Sequence, residues 1–462
     1  MTMPRPLPSG PLIAFYGDDF TGASASMEAT AFAGLDTVLF LSPPTPDRLR
    51  SFADARAIGI AGMARARGVQ WMDDNLPAIF DLLGATGAPV VHYKVCSTFD
   101  SAPHIGSIGR AIEIGSRRFG GWTPMIVADP AMGRYQACGN LFAAARGTVY
   151  RLDRHPVMSR HPVTPMDEAD LGRHLARQTK QKIGLIDFIA MKRGTADTEL
   201  AQQLAAGAQI VSIDVLDRET LIEAGRLVWE LGDRVEPIYG VGSQGLEAAL
   251  IAYWQNAGLV APPRSEFRAK QVDRIAVISG SVSAVTAAQI AHAKQHGFST
   301  IALDAARAVD SSAWSKEIGR AADAALVELG FGKDVLVYSA AGPDDPAVTS
   351  LKVAVASSGI SPESVNERVG SGLGMILDRV LLKSGLSRAV ISGGDTSGRA
   401  ASMLGIDALT AIAPLAPGSP LCRAHAERSH RDGLEIALKG GQVGAPDFFV
   451  AAKRGAPSDL SV

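Results

Sequence analysis

Two adjacent carboxylates follow a short apolar run near the start of the chain. The run at residues 12–16 has the length and composition of a buried strand, and Asp18 and Asp19 come directly after it. A helix is predicted over residues 22–34, so the pair lies at a strand-to-helix turn, where open α/β sheets bind their ligands. An Asp at this place could serve only as the helix cap. A second carboxylate beside it exceeds what a cap needs and predicts a chemical role.

A cation followed by hydroxyl groups marks a second strand end. Lys94 lies at the end of a strand predicted over residues 90–95, and Ser97 and Thr98 follow it. A lysine supplies charge and hydroxyls supply directed hydrogen bonds, a combination that binds a carboxylate or a phosphate. The alternative is a lysine that reaches to solvent beside a polar turn. Cys96 lies between them, but no base partner for a nucleophilic thiol is evident, so we interpret it as a small packing residue.

An arginine and a histidine-containing loop extend these candidates. Arg134 follows Gly133 after a strand predicted over residues 125–128, where a guanidinium and a closely approaching backbone could grip a small anion. An ordinary loop with a surface arginine is the alternative. Residues 146–170 are predicted to be a long irregular stretch, and such loops are usually functional or mobile. Within it, His161 is interpreted either as a residue that makes the loop rigid or as a substrate contact.

A glycine motif near residue 240 raises another function. Gly240, Gly242 and Gly245 match the G-x-G-x-x-G spacing of dinucleotide-binding folds, which would indicate a Rossmann-type NAD-dependent dehydrogenase. The motif lies late in its domain, however, and lacks the acidic residue expected about 20 positions downstream. We therefore favour a helix N-terminus that helps to hold a substrate or phosphate, with Ser243 as the contact residue.

The second half of the chain contains three turns of glycine and hydroxyl residues. Small residues at strand-to-helix turns let backbone N–H groups approach phosphates closely. The sequence has no G-x-x-x-x-G-K-[ST] motif, which excludes a P-loop. Three such turns in one domain predict a nucleotide pocket, whose candidate residues are Ser281, Ser283, Gly393, Gly394, Asp395, Thr396, Gly440 and Gly441.

The elements that must position these residues alternate along the chain. Strand-like and helix-like segments follow one another from end to end, which indicates an α/β fold with mainly parallel sheets. One of the predicted helices covers residues 102–119. The clearest break is at residues 254–264, which combine a helix stop with two prolines. We therefore expect one domain at residues 1–262 and another at residues 272–462, since 462 residues exceed the usual size of one core.

Composition narrows the classes of partner. The formal net charge is −2, which argues against nucleic acid or an anionic membrane as the main partner. A run of about 20 apolar residues is missing, so a membrane span is not expected. The three cysteines form no CxxC pair and suit a reducing cytosol, so a cytoplasmic location is expected. A small molecule is the expected partner, and a homodimer is left open.

Taken in chain order, these motifs resemble those of the four-carbon acid sugar kinase family, and the resemblance runs across nearly the whole chain. It implies two α/β domains, of which the N-terminal one holds the acid sugar and the C-terminal one holds ATP. The reaction it implies makes a phosphorylated four-carbon acid. The matching segments are Gly17-Asp-Asp-Phe-Thr-Gly-Ala23, Lys94-Val-Cys-Ser-Thr-Phe-Asp-Ser101, Gly106-Ser-Ile-Gly109, Gly133-Arg134, His161-Pro-Val-Thr-Pro-Met166, Gly242-Ser-Gln-Gly-Leu246, Ser279-Gly-Ser-Val-Ser283, Gly393-Gly-Asp-Thr396 and Gly440-Gly441.

The resemblance also indicates a branch of the family. The segment Cys96-Ser-Thr-Phe-Asp-Ser101 is similar to the 3-oxo-tetronate kinase form, and the D-threonate and D-erythronate kinase form is the alternative. The strings at residues 92–110 and 151–156 are similar to members linked to 3-oxo-isoapionate, the branched-chain relative. The chain departs from the family pattern at Asp395, Gly440, Gln442 and Val443.

The kinase reaction assigns a role to each candidate of the first domain. Phosphoryl transfer needs charge neutralisation, in-line positioning and a carboxylate that orients or deprotonates the attacking hydroxyl. Asp19 is the expected base, and Asp18 is expected to support it or to help place Mg²⁺. A sugar-acid binder of two lobes, without catalysis, is a further alternative. The expected contacts to the acid are Lys94 and Arg134 for its carboxylate and Ser97 and Thr98 for its hydroxyls.

Overall fold

The computed structural model describes residues 3–145, 147–232, 236–263, 267–427 and 430–458, apart from the side chain of Asp395. Contacts within the chain divide it into two compact units, Met1–Arg264 and Ser265–Val462. Each unit contains helices and a mostly parallel sheet. The α/β fold class predicted from the sequence is therefore confirmed.

The first unit alternates strands with helices along the chain. Its strands are β1 (Ile13–Gly17), β2 (Thr37–Phe40), β3 (Ala57–Ala61), β4 (Val90–Lys94), β5 (Thr123–Ile126), β6 (Arg134–Ala137), β7 (Asn140–Ala145), β8 (Thr148–Arg151), β9 (Ile183–Ile186), β10 (Ile210–Ile213) and β11 (Ile238–Gly242). Its helices are α1 (Phe20–Phe32), α2 (Pro46–Arg50), α3 (Val69–Gly84), α4 (Ile108–Phe119), α5 (Leu171–Leu175), α6 (Phe188–Arg193), α7 (Ala196–Ala205), α8 (Arg218–Leu231) and α9 (Gly245–Asn256).

The main sheet of this unit is parallel, in the order β2-β3-β1-β4-β11-β5-β10-β9. Strands β1, β3 and β4 are buried along their whole length, as expected for a parallel sheet that helices cover on both faces. Tyr239 of β11 packs against the rings of Phe80 and Phe119, with centroids 5.5 Å away in both pairs. This aromatic packing joins α3 and α4 to the centre of the sheet.

Strands β6, β7 and β8 pair separately as a small antiparallel sheet. Asp214, directly after β10, holds this sheet to the parallel one. Its buried carboxylate accepts hydrogen bonds from the Gln136 side chain and from the backbone N–H groups of Cys138, Gly139 and Phe188. Burial raises the pKa of Asp214, although these donors oppose the shift.

Two expectations from the sequence differ from the structure. The helix predicted over residues 102–119 begins only at Ile108, because the Ser107 side chain caps it and accepts a hydrogen bond from the Arg110 N–H at 3.1 Å. The stretch predicted to be irregular, residues 146–170, is partly ordered. It contains β8 and the short 3₁₀ helices Leu152–Arg154 and Met158–Arg160. The residues of β8 are exposed or half-buried, which explains why no apolar pattern indicated a strand.

The second unit has the same alternation. Its strands are β12 (Ala276–Ser279), β13 (Ser299–Ala302), β14 (Val335–Tyr338), β15 (Arg388–Ser392), β16 (Ala408–Ala416), β17 (Ser419–His425) and β18 (Glu435–Lys439). Its helices are α10 (Ala284–Gln295), α11 (Ser311–Gly330), α12 (Pro346–Ser358), α13 (Pro362–Ser384), α14 (Gly394–Met403) and α15 (Phe448–Arg454).

Within this unit, β13-β14-β12-β15-β18 are parallel in that order, and β17 and β16 continue the sheet in antiparallel pairing. Their apolar side chains form a core with those of α10 and α15, including Val277, Leu336, Val390, Phe448 and Phe449. Strands β12, β15 and β18 are neighbours, so the turns that follow them meet at one edge. Within the described ranges, none of the helices combines the length and the apolar character needed to cross a membrane.

Candidate functional site

The candidate residues of the first unit lie at one edge of its parallel sheet. In the strand register, Gly17 of β1 is aligned with Ala61 of β3 and with Lys94 of β4, and Lys94 is aligned with Gly242 of β11. The residues after these positions therefore emerge side by side. Because β2 and β3 lie on one side of β1 and the later strands on the other, the strand order reverses here. Open α/β sheets bind ligands in the crevice at such a reversal.

Asp18 is held by an arginine that the sequence prediction missed. Its side chain is 4% exposed, and Arg65 binds both of its oxygens: Nη2 donates to Oδ1 at 2.7 Å and Nε donates to Oδ2 at 3.2 Å. Burial raises the pKa of Asp18, and the Arg65 guanidinium opposes that shift. Arg65 follows β3, the neighbour of β1. The apolar run of β3 before it is visible in the sequence, but the pairing of β3 with β1 is not.

Asp19 is the more accessible of the two carboxylates, with 31% of its side chain exposed. It caps α1, because its Oδ1 accepts a hydrogen bond from the Gly22 N–H at 2.7 Å, and the same oxygen lies 2.9 Å from Nη2 of Arg65. Asp19 is therefore the cap of α1, and its expected role as the base stays a prediction. The other oxygen, Oδ2, accepts no hydrogen bond from any residue in the part of the chain that the structure describes. Capping thus leaves one carboxylate oxygen for a ligand.

Lys94 brings a buried ammonium group to the same place. Its side chain is 2% exposed, and its Nζ makes no hydrogen bond within the part of the chain that the structure describes. A Cβ atom on Gly22 would lie 2.5 Å from both Lys94 Nζ and Asp19 Oδ1. The absence of a side chain at Gly22 therefore lets the ammonium and the carboxylate share the start of α1.

The hydroxyls after Lys94 differ in their availability. Thr98 is buried and donates to Asp100 Oδ1 at 2.6 Å, with the Cys96 thiol 3.0 Å away. Burial and the Asp100 charge raise the pKa of Cys96 to about 11, so a nucleophilic thiolate is disfavoured. Ser97 is half-buried, and its hydroxyl makes no hydrogen bond within the described ranges. Ser97 is thus the freer of the two predicted hydroxyl contacts.

Arg134 is a second cation without a carboxylate partner. At the start of β6, its Nη1 donates to the backbone oxygens of Met132 and Gly133 at 3.1 and 3.3 Å, while its buried Nε has no hydrogen-bond partner. Burial lowers the pKa of Arg134, and the electrostatic effects of Cys96 and Asp129 oppose that shift. No described carboxylate forms an ion pair with it. The interaction with Cys96 places Arg134 near the segment that follows Lys94.

The loop histidines stabilise their own turns. His161 Nδ1 is 3.1 Å from the Thr164 N–H and 3.0 Å from its hydroxyl. His155 repeats the arrangement with the N–H groups of Val157 and Met158. These local hydrogen bonds agree with the interpretation of His161 as a residue that makes the loop rigid. None of the hydrogen bonds or ion pairs in the described residues joins it to the carboxylate pair or to Lys94, so its substrate contact stays a prediction.

The hydroxyl of Ser243 is engaged in hydrogen bonds within the first unit. It is fully buried, donates to the Val127 carbonyl at 2.6 Å and accepts from the Gly245 N–H at 3.0 Å. The glycines around it have a packing role: a Cβ atom on Gly242 or Gly245 would lie 1.8 or 2.1 Å from a backbone oxygen at the end of β5. A Cβ atom on Gly240 would lie 2.5 Å from the Leu246 side chain of α9, so close packing accounts for all three glycines of the G-x-G-x-x-G spacing. The structure disfavours both the substrate contact at Ser243 and the dinucleotide interpretation.

The three glycine turns of the second unit meet at the carboxyl edge of its sheet. The Gly280 N–H donates to the Ser392 carbonyl at 3.0 Å, and the Gly393 N–H donates to the Lys439 carbonyl at 2.9 Å. The Ser283 hydroxyl donates to the carbonyl of Gly441. The predicted candidates are thus brought together, apart from the side chain of Asp395, which lies outside the described residues.

The arrangement of these turns suits a polyphosphate. A Cβ atom on Gly441 would lie 2.5 Å from Ser281 Oγ, and one on Gly280 would lie 2.2 Å from Thr396 Oγ1, so the turns approach one another only because both residues are glycine. A Cβ atom on Gly394 would meet nothing within 4 Å, so the start of α14 faces open space. Hydroxyl groups and helix N-termini are ligands that phosphate oxygens favour.

A lysine at this edge was also missed by the sequence prediction. Lys439 ends β18 with 1% of its surface exposed, and its Nζ contacts oxygens from three segments of the chain. The position of Lys439 directly before Gly440-Gly441 could have indicated it, because Lys94 likewise comes at the end of a strand and before small residues.

A protein site for Mg²⁺ is not formed by these residues as they stand. The described part of the chain holds no group of three His, Cys, Asp or Glu side chains arranged for a metal ion. Both oxygens of Asp18 are occupied by Arg65, which does not fit the predicted role of Asp18 in placing Mg²⁺. Mg²⁺ commonly needs only one or two protein carboxylates when it binds with nucleotide phosphates.

Comparison with known proteins defines the class of the two units. A family model described as a sugar-binding N-terminal domain matches residues 13–250, and one described as a nucleotide-binding C-terminal domain matches residues 276–449. The two models cover the two compact units, and each contains the carboxyl-edge cluster described above. The molecule is thus an α/β protein with a sugar-binding and a nucleotide-binding part.

Full-length relatives identify the family. A 3-oxo-isoapionate kinase of Paraburkholderia graminis is 51% identical over 97% of this chain and 95% of its own length. A 3-oxo-tetronate kinase of Cupriavidus necator is 31% identical over 96% of this chain and 97% of its own length. A solved structure from Salmonella typhimurium, described provisionally as a tRNA synthase, has a TM-score of 0.78 at 25% identity and covers 96% of this chain and 98% of its own. This chain belongs to the four-carbon acid sugar kinase family.

Proposed function

We propose that this chain transfers a phosphoryl group from ATP to a hydroxyl of 3-oxo-isoapionate. The relative of that activity is 51% identical, whereas a 3-oxo-tetronate kinase is 31% identical over a similar span. Within the structure, one observation carries the proposal: Asp19 keeps a carboxylate oxygen free beside the buried ammonium of Lys94. A base next to a cation is what a hydroxy acid needs if it is to be held and deprotonated in one place.

The carboxylate of the acid is assigned to Lys94 and Arg134. Both cations lack a carboxylate ion pair within the described residues, and the buried Nε of Arg134 has no partner. A buried polar group without a hydrogen bond is costly, so an anionic ligand that satisfies it gains affinity. Ser97, whose hydroxyl is also uncommitted, is the proposed contact to a substrate hydroxyl. Thr98 instead orients Asp100, to which it donates a hydrogen bond at 2.6 Å.

Asp19 is the proposed base, and Arg65 and Asp18 position it. The proton of the attacking hydroxyl would pass to Oδ2 of Asp19, the oxygen that neither Gly22 nor Arg65 occupies. Arg65 fixes Asp19 from the other side, while its two bonds to Asp18 fix the guanidinium itself. Asp18 is therefore a positioning residue in this proposal. The chemistry that remains is charge neutralisation and alignment, which phosphoryl transfer mainly requires.

ATP is assigned to the three glycine turns of the second unit. The start of α14 and the hydroxyls of Ser281 and Ser283 offer donors to phosphate oxygens, and Lys439 adds positive charge. Mg²⁺ is proposed to arrive with the nucleotide and to neutralise its phosphates there. In this proposal the fit of Mg²⁺ depends on the phosphates rather than on a site formed by the protein alone.

A substrate comparison tests the proposal. ADP release should be measured with 3-oxo-isoapionate, 3-oxo-tetronate, D-threonate and D-erythronate at equal concentrations. We expect kcat/KM for 3-oxo-isoapionate to exceed that for the other acids by roughly tenfold or more, the range by which one carbon branch changes specificity. Similar or higher kcat/KM for 3-oxo-tetronate would assign the chain to that activity, the second candidate, which the 31% identical relatives support. Absence of ADP release with every acid would refute the kinase proposal.

A further inference from the structure

Lys439 connects three segments of the second unit. Its Nζ donates to Ser392 Oγ at the end of β15 at 3.1 Å, to Thr286 Oγ1 of α10 at 3.3 Å and to the Gly440 carbonyl at 3.0 Å. Thr286 in turn donates to the Gly441 carbonyl at 3.0 Å. An ammonium group has three protons, so every donor of Lys439 is used to tie the glycine turns together.

The charge of this ammonium is not balanced by a carboxylate in the part of the chain described here. Nζ lies 5.8 Å from the centre of the Phe448 ring. Of the charged groups on the neighbouring elements, Arg388 and Glu435 pair with each other at the other ends of β15 and β18. Burial lowers the pKa of His292 of α10, and the Asp447 charge opposes that shift. Burial alone lowers the pKa of Lys439 to about 7. Since no carboxylate among the described side chains pairs with Lys439, a bound anion at the glycine turns would supply an opposite charge near this group.

We propose that Lys439 is a positioning residue of the nucleotide site and that it couples nucleotide binding to the uptake of a proton. The inference rests on the proposed function, because it takes the glycine turns as the place of the phosphates. In the empty site, a buried cation without a counter-ion releases its proton readily. Phosphate charge at the turns favours the ammonium form, so the nucleotide and the proton bind together.

This coupling predicts how nucleotide affinity depends on pH. Above pH 7 the empty protein must acquire a proton as the nucleotide binds, so affinity falls as pH rises. For one proton, the loss approaches about tenfold per pH unit. Arginine at this position stays protonated at every accessible pH, so Lys439→Arg should abolish both the proton uptake and the added pH dependence.

Calorimetry of ADP binding to the full chain tests the inference directly. Titrations at pH 8 in two buffers of different ionisation enthalpy give the number of protons taken up. At this pH the phosphates of ADP are already ionised, so ADP itself contributes little to that number. We expect the wild type to take up most of one proton and its Kd for ADP to rise several-fold from pH 7.5 to 8.5. Lys439→Arg should show almost no uptake and a nearly constant Kd. Lys294→Met, which alters an exposed lysine of α10, should behave like the wild type.

The outcomes separate the inference from the function on which it rests. Binding of ADP by the wild type without proton uptake would overturn the inference and leave the nucleotide site in place. Equal uptake in Lys439→Arg would also overturn it, because another group would then carry the proton. If ADP does not bind the folded wild type at all, the proposed function itself fails. The wild-type titration needs no variant, so a misfolded Lys439→Arg protein would still leave a decisive result.

Discussion

Replacement of Asp19 by asparagine separates a catalytic base from a helix cap. In Asp19→Asn, the amide oxygen can keep the hydrogen bond from the Gly22 N–H, which is 2.7 Å long in the wild type. The amide nitrogen then lies where Oδ2 was, and it donates a hydrogen bond where the carboxylate could accept a proton. Asparagine caps helices about as well as aspartate, so folding should change little. Loss of a general base costs about 10²–10⁴-fold in rate.

Asp18→Asn is the matched comparison, because it makes the same chemical change one residue earlier. Asp18 is 4% exposed and both of its oxygens accept from Arg65. Loss of this buried pair should cost about 3 kcal/mol, which corresponds to a Tm decrease of roughly 6–12 °C for a unit of this size. Asp18→Asn should therefore lower Tm strongly and kcat less, whereas Asp19→Asn should lower kcat strongly and leave Tm nearly unchanged.

Two measurements decide between these assignments. ADP release at saturating acid and ATP gives kcat, and a thermal melt of the same preparation gives Tm. Near-normal kcat in Asp19→Asn would show that Asp19 is only a cap and would refute the reasoning. A larger loss of kcat in Asp18→Asn than in Asp19→Asn, with both proteins folded, would exchange the two roles.

The remaining predictions concern the two lysines and the glycine beside them. Gly22→Ala should raise KM for the acid several-fold without loss of Tm, because the new Cβ meets Lys94 Nζ and Asp19 Oδ1 at 2.5 Å. Gly330→Ala, where a Cβ meets nothing within 4 Å, is the control. An unchanged KM in Gly22→Ala would contradict the assignment of Lys94 and Asp19 to one acid-binding place. Lys94→Met should raise KM for the acid by roughly tenfold or more, since it removes a charge-assisted hydrogen bond to the acid, and KM for ATP should stay the same. Steady-state kinetics with each substrate varied in turn measures both KM values, and a rise mainly in KM for ATP would contradict the assignment of Lys94 to the acid. The pKa of Lys439 is about 7 in the folded chain against an ordinary 10.5, so the unfolded state holds the proton more tightly between these values and stability rises with pH across them. Denaturant melts should show a larger free energy of unfolding at pH 9 than at pH 7 in the wild type, and this difference should be lost in Lys439→Met. An equal difference between the two pH values in both proteins would contradict the assignment.

The sequence alone allows the fold class and the placement of several candidates to be predicted. Apolar runs that end at a charged residue indicate strand ends, and β1 and β4 do end at Gly17 and Lys94. The glycine turns of the second half likewise follow β12, β15 and β18. These features are local, because a buried parallel strand is a short apolar run whatever its neighbours are.

What depends on strand order could not be predicted. Arg65 reaches Asp18 only because β3 pairs with β1, and no local pattern shows which strands are neighbours. For the same reason Ser243 was assigned to a ligand: its helix start is visible in the sequence, but its contact with the Val127 carbonyl is not. The small sheet escaped prediction because its strands are short and only partly buried. Strand order thus determines which side chains meet, and the sequence does not show it.

The small β6–β8 sheet provides a part of the molecule that can diverge by itself. It carries Arg134, and its three strands pair with one another apart from the parallel sheet. Of the three hydrogen bonds by which Asp214 holds it, those from Cys138 and Gly139 come from backbone N–H groups and one comes from the Gln136 side chain. Insertions or exchanges in this hairpin can therefore relocate a cation without changing the register of the strands that hold Asp19 and Lys94. This is a route by which one phosphoryl-transfer scaffold can serve acids of different branching, and it makes the hairpin the natural segment to exchange when a new substrate is sought.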